Sequence, residues 1–227
     1  MGGVRLGGIA EVVVCSPPFT AFDGPGTATE DPQVYVACSN NPPGTATIYT
    51  DFSGFVDSDQ NYNPVLSPDG TLVLFQVLSA TTGFNEIWVV DALAGSTPTQ
   101  LVASGSQHAY HPAWHPDSDT FVYVQGAGGG DDRGSVYKDT VSSPGSPTLL
   151  KADGGGTIGA YRPQFNFDGS RVAYIYTATG DPQLRCMDDD GTNDGIVDNA
   201  ITSAYDSNEP PQFSWANTQN LIAFHDG

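Results

Sequence analysis

Five segments of the chain can be laid over one another from a single proline: "PFTAFDG" at Pro18, "PVLSPDG" at Pro64, "PAWHPDS" at Pro112, "PQFNFDG" at Pro163 and "PQFSWAN" at Pro211. Their starts lie 46, 48, 51 and 48 residues apart. Such a period confines a chain to architectures in which one supersecondary unit is copied and stacked. Behind each anchor runs an alternating segment: "QVYVACS", "TLVLFQVL", "TFVYVQG", "RVAYIYT" and "NLIAFHD". A tight turn of the Asp-Gly kind between a short strand and an alternating one signals a hairpin. Four units continue into a third strand ("TIYTDF", "EIWVVDA", "SVYKDT", "QLRCMDD"), and two into a clear fourth ("PTQLVAS", "PTLLKAD").

A unit of four short antiparallel strands in about 45 to 50 residues is the size of a propeller blade, so the expected fold is an all-β propeller of four-stranded antiparallel blades. The physical reason is burial. A lone twisted sheet cannot cover both of its apolar faces, whereas sheets stacked around an axis cover each other. Trp114, Phe165 and Phe213 share one offset from their anchors and are expected to pack between blades as core. The whole chain, 1–227, reads as a single propeller domain of four full repeats and a partial one. The segment "GGIAEVVVCS" within residues 1–17 stands where a terminal strand closes a ring. Three completions stay open: a five-bladed closed ring, a fragment of a six- to eight-bladed propeller, or an open blade filled by a neighbouring subunit. The fragment is the favoured one.

The order of a proline, an aromatic, "SPDG" or a relative of it, and then an alternating strand resembles the repeat of the TolB-like β-propeller family. "NPVLSPDGTLVLF" and "HPAWHPDSDTFVYV" carry the resemblance best, and "YRPQFNFDGSRVAYI" and "PPQFSWANTQNLIAF" follow it more loosely. It extends from about residue 18 onward. The resemblance implies a fold more than a function, because similar propellers serve as periplasmic scaffolds, peptidase-gating domains and surface proteins. It also implies an extracellular, periplasmic or cell-surface setting.

Charge narrows the partners. With 26 acidic against 7 basic residues the net charge is −19, which repels nucleic acid and anionic membrane surfaces and favours cations. No apolar run is long enough to span a membrane. The opening "MGGVRLGGIAEVVVCSPP" makes a poor signal peptide, since Glu11 interrupts its apolar run and no small-residue cleavage site follows. Three cysteines, Cys15, Cys38 and Cys186, make no zinc spacing; a Cys15–Cys38 bridge would need the terminal strand beside the first repeat.

The most acidic stretch, "CMDDDGTNDGIVD" at 186–198, suggests a calcium loop. An EF-hand register fails: with Gly191 at the sixth position, Cys186 would be first and Val197 twelfth, and neither binds calcium. A shorter D-x-D-G-x-x-D loop would use Asp188, Asp190 and Asp194 as calcium ligands, the only metal expected and not one the fold requires. Asp188 has a competing explanation. Asp51, Asp91, Asp139 and Asp188 each end a third strand and precede a glycine (Gly54, Gly95, Gly145, Gly191), as expected of aspartates that cap turns. Asp189 and Asp198 complete the acidic set.

"HAYHPAWHPD" places His108, His111 and His115 within eight residues. Three imidazoles invite a transition metal. His111 precedes the anchor proline, however, and His115 sits in the following turn, so their side chains should point to different levels of the blade. The glycine-rich "GAGGGDDRG" at 126–134 lacks the helix and the Lys-Ser/Thr of a phosphate loop. It reads as a long rim hairpin, as does "DGPGTATEDP" at 23–32. No G-x-S-x-G elbow is present, and paired carboxylates are too common here to single out a catalytic pair. The expected function is therefore a non-catalytic module that binds a protein or assembles with itself through a rim or an open blade edge. The alternative is the propeller domain of a hydrolase or lyase acting on peptide or polysaccharide.

Overall fold

The computed structural model describes residues 19–25, 32–38, 47–48, 60–92, 96–103, 105–127, 133–155, 158–177, 182–198, 213–216 and 218–224. Strong β-formers in seven-residue runs, punctuated by Asp-Gly and Pro-containing turns, produce three complete antiparallel meanders. The first holds β4 (Gln60–Leu66), β5 (Leu72–Leu78), β6 (Asn85–Asp91) and β7 (Thr99–Val102), in that order. The second holds β8 (His108–Trp114), β9 (Thr120–Gly126), β10 (Ser135–Thr140) and β11 (Thr148–Lys151). The third holds β12 (Gly159–Phe165), β13 (Arg171–Thr177), β14 (Pro182–Asp188) and β15 (Gly195–Asp198). Ahead of them stands a three-stranded sheet of β1 (Phe19–Pro25), β2 (Pro32–Cys38) and β3 (Thr47–Ile48), and behind them a two-stranded one of β16 (Phe213–Trp215) and β17 (Ile222–Phe224). No described helix is long and apolar enough to cross a membrane.

The sheets stack face to face, with their first strands side by side. Burial follows from the stacking: β5, β9 and β13 are covered on both faces although their sequences alternate only loosely. One core lies between the second and third complete sheets, where Tyr110, Val122 and Val136 meet Phe165, Tyr174 and Met187. Another joins Leu74, Ile87 and Val102 of the first complete sheet to Trp114, Phe121 and Tyr123 of the second. Trp114, Phe165 and Phe213 are all buried.

The hairpin turns define the true equivalences. The amides of Ser67, His115, Asn166 and Ala216 each donate to a carbonyl five residues on, at Leu72, Thr120, Arg171 and Leu221. These pairs place Leu66, Trp114, Phe165 and Trp215 at one position. The alignment from Pro211 is thus two residues out. The repeated letters "PQF" match Pro211 to Pro163, but Phe213 takes the place of the anchor proline. A pair of hydrogen bonds between sheets confirms the shift: Trp114 Nε1 donates to the Val65 carbonyl at 2.8 Å, and Trp215 Nε1 donates to the Gln164 carbonyl at 3.2 Å.

The first unit departs further. Asp23 and Gly24 do not turn the chain; they lie within β1, paired with Val34 and Gln33, so Pro18 is no counterpart of Pro64. The fourth unit does have a fourth strand, β15, which the sequence pattern does not mark because aspartates and glycines fill the turn before it. Cys15, the closing segment 1–17, Asp51, Gly54, Gly95 and the tips of both rim loops lie outside the described residues. Cys186 is free and buried.

Candidate functional site

The acidic stretch is the β14–β15 turn together with the strand after it, and Asp188, Asp189, Asp190 and Asp194 are each engaged by a different partner. Asn193 Nδ2 donates to Asp188 Oδ2 at 2.6 Å, and Arg171 Nε lies 3.5 Å from the other oxygen. Asp190 Oδ1 accepts from the Thr192 amide and hydroxyl. Asp189 pairs with Lys138 across the sheet interface at 3.1 Å.

Asp194 turns away from these, towards the body of the blades. Its two oxygens receive Arg185 Nε and Nη2 at 3.0 Å each, Lys151 Nζ at 2.7 Å and the Tyr174 hydroxyl at 2.6 Å. Burial alone would raise its pKa, but the bonds from Arg185, Lys151 and Tyr174 hold the carboxyl below the usual range. Burial, with this carboxylate as its partner, pushes the Tyr174 phenol up in turn. Asp188, Asp190 and Asp194, the expected calcium ligands, are each held by other partners, and among the described residues no three His, Cys, Asp or Glu side chains cluster as metal ligands. A carboxylate already bracketed by two cations is a poor ligand for a third.

The aspartates ending the third strands are not all equivalent. The amides of Ala92, Val141 and Asp189 donate to corresponding carbonyls at Thr71, Asp119 and Ser170, which aligns Asp91 and Asp188 with Thr140. Asp139 falls one residue earlier, at the inward position held elsewhere by Val90 and Met187, and is 6% exposed. It still caps its turn, accepting from the Thr140 and Gly145 amides.

The three histidines separate as their spacing implies. His108 Nδ1 accepts from the Asn85 amide of the preceding sheet, and its ring stacks on Tyr110. His115 lies edge-on against Phe165 of the following sheet, its Nδ1 held by the Asp117 amide. Of the three, only His111 lines the face where the first strands of the complete sheets meet.

That face is the candidate site. The first strand of each of the three complete sheets carries a β-bulge at one place, where the register slips between Tyr62 and Val65, Tyr110 and Ala113, and Tyr161 and Gln164. Inside each bulge sits one left-handed residue: Asn63 at φ 52°, His111 at φ 51° and Arg162 at φ 53°. A non-glycine residue in this region is disfavoured, and bulges re-aim side chains. The three line a groove of about 660 Å³, with Pro64, Trp114 and Phe165 among its walls. Gln76, 1% exposed, supports the floor: its Oε1 accepts from Asn63 Nδ2 at 3.0 Å and from the His111 amide at 2.8 Å. Burial first, and the positive charge of Arg162 second, lower the pKa of His111 to about 3, so the imidazole is neutral at pH 7.

Sequence reasoning missed Asn63 and Arg162 and took His111 for an ordinary blade residue. A signal was present in the triplets Tyr62-Asn63-Pro64, Tyr110-His111-Pro112 and Tyr161-Arg162-Pro163, where one variable residue stands between two constant ones.

Stacked four-stranded meanders with adjacent first strands are propeller blades. The particular fold is TolB-like: TolB from Acinetobacter baumannii superposes with a TM-score of 0.56 at 21% identity, over 78% of this chain and 40% of that one. The putative TolB from Agrobacterium tumefaciens gives 0.59 at 18% identity, over 85% and 62%. Prolyl oligopeptidase B from Galerina marginata gives 0.65 at 8% identity, over 90% of this chain and 28% of the enzyme. The chain thus spans less than two thirds of the length of each of these structures. No protein-family model and no curated protein sequence matches it.

Proposed function

We propose that the chain is a non-catalytic β-propeller module of an extracellular or envelope setting that binds a protein partner, with the groove between the first strands as its contact surface. One observation carries this reading. The scaffold around the groove repeats from blade to blade, whereas the residue each bulge presents to it changes from Asn63 to His111 to Arg162. Constant framework around variable presented residues is how repeat folds recognise partners. The similarity to TolB structures supports the setting.

Affinity capture from envelope extracts of cells carrying the gene tests the reading. A partner retained by the wild type and lost by the His111→Ala, Arg162→Ala double variant is the expected result. A partner retained equally by both would move the contact surface elsewhere, and a chain that retains none would refute the binding role.

A second reading has its own support. The similarity to prolyl oligopeptidase B favours a propeller that covers a hydrolase domain. Peptide hydrolysis by the full gene product, lost on mutation of a serine nucleophile outside the propeller, would establish it in place of the first.

A further inference from the structure

Seven lysines and arginines face 26 acids in this chain, and nearly every described cation is spoken for. Lys138 pairs with Asp189, Lys151 and Arg185 with Asp194, and Arg171 with Asp188, while Arg133 lies over the Tyr161 ring. Arg162 differs. Among the described residues its side chain makes no hydrogen bond and no ion pair, and none of the side chains lining its groove is acidic. In a chain with net charge −19, a cavity holding an arginine and no carboxylate runs against composition.

We propose that Arg162 is the counter-charge for a carboxylate carried by a ligand with an apolar body, such as the C-terminal residue of a polypeptide; the inference rests on the binding-module reading above. The chemistry selects this class. A guanidinium offers two parallel donors that match the two oxygens of a carboxylate. Pro64, Trp114 and Phe165 supply apolar wall, so an apolar residue joined to the carboxylate would be buried beside it. A phosphate ester is the poorer fit, because one cation and few donors would meet up to two negative charges inside a strongly acidic molecule. His111, neutral beside Arg162, lines the groove without a competing charge.

The test uses the whole chain labelled with nitrogen-15, following the Arg162 Nε–Hε resonance. The probes are N-acetyl-Ala-Gly-Pro-Phe with a free C-terminus, the same peptide as its C-terminal amide, and sodium acetate. The free acid should shift the resonance and bind about tenfold or more tightly than the amide, the difference of roughly one charge-assisted hydrogen bond. Acetate should bind more weakly than the peptide acid. Arg162→Gln should abolish the preference for the acid and leave the melting temperature unchanged, since the guanidinium holds nothing in the fold.

Equal binding of acid and amide would overturn the carboxylate assignment while leaving the binding-module reading intact. An unmoved Arg162 resonance with all three probes up to about 10 mM, the scale of the weakest specific binding, would overturn it as well. Acetate matching the peptide would overturn the apolar body and point to a free organic acid.

Discussion

Gly169 shows how much of this fold is decided by what surrounds a single residue. It and Gly83 have nearly the same left-handed backbone, at φ 78° and 72°. A Cβ added at Gly83 would meet nothing, whereas at Gly169 it would run into the imidazole ring of His115. His115 cannot easily yield, being held by Asp117 and packed on Phe165. Gly83→Ala should therefore cost about 1 kcal/mol, for backbone strain alone, and Gly169→Ala about 2–4 kcal/mol once overpacking is added. Chemical denaturation of both variants checks the gap. His111 offers a second test through linkage. Its folded pKa is near 3, below its ordinary 6.5, so between those values the unfolded chain holds a proton that the folded one does not. The stabilisation is complete above pH 6.5 and is lost as pH falls towards 3. Between pH 6.5 and about 4.5 the lowered carboxylates Asp117 and Asp194 contribute little, because their changes begin near the ordinary aspartate value of about 4. The melting temperature should fall across that interval, and His111→Gln should make the fall shallower.

Among the elements, the β14–β15 turn shows the chemistry of the acidic stretch most clearly. Asp194 ties β15 to Arg185 on β14, Tyr174 on β13 and Lys151 on β11 of the neighbouring sheet, so it is a clasp between two blades. Asp194→Ala would strand two cations and a buried phenol. A loss of about 2–3 kcal/mol is expected, below the roughly 3–5 kcal/mol of a fully buried pair because Asp194 keeps some exposure. Asp190→Ala, by contrast, removes only exposed turn bonds and should change stability by about 0.5 kcal/mol. Urea unfolding of the two variants separates the roles. The two aspartates look alike in "DDDGTNDG", and no spacing rule could tell them apart, because Lys151 lies 43 residues away along the chain. The same limit explains the slip at Pro211. Letters matched "PQF" to "PQF", while the turn hydrogen bonds and the Trp215 contact to Gln164 set the register.

Across the whole molecule, charge governs the response to salt. A net charge of −19 opposes compaction, so sodium chloride should raise the melting temperature by screening. Calcium at matched ionic strength should add nothing beyond what magnesium adds, since Asp188, Asp190 and Asp194 are already held by Asn193, Thr192 and Arg185. A calcium-specific rise in differential scanning calorimetry would refute that. The proline-anchored period and the strand pattern were enough to establish blades, the buried aromatics at Trp114 and Phe165 and the turn at Asp69-Gly70, because these depend on neighbours close in sequence. Only the tertiary structure decided that Asp194 belongs to an ion pair, that Asp139 points inward, and that Asn63, His111 and Arg162 share one groove. Each of those outcomes is set by a contact between blades roughly 50 residues apart, and burial and charge at such a contact belong to the stacked sheets, not to any one of them.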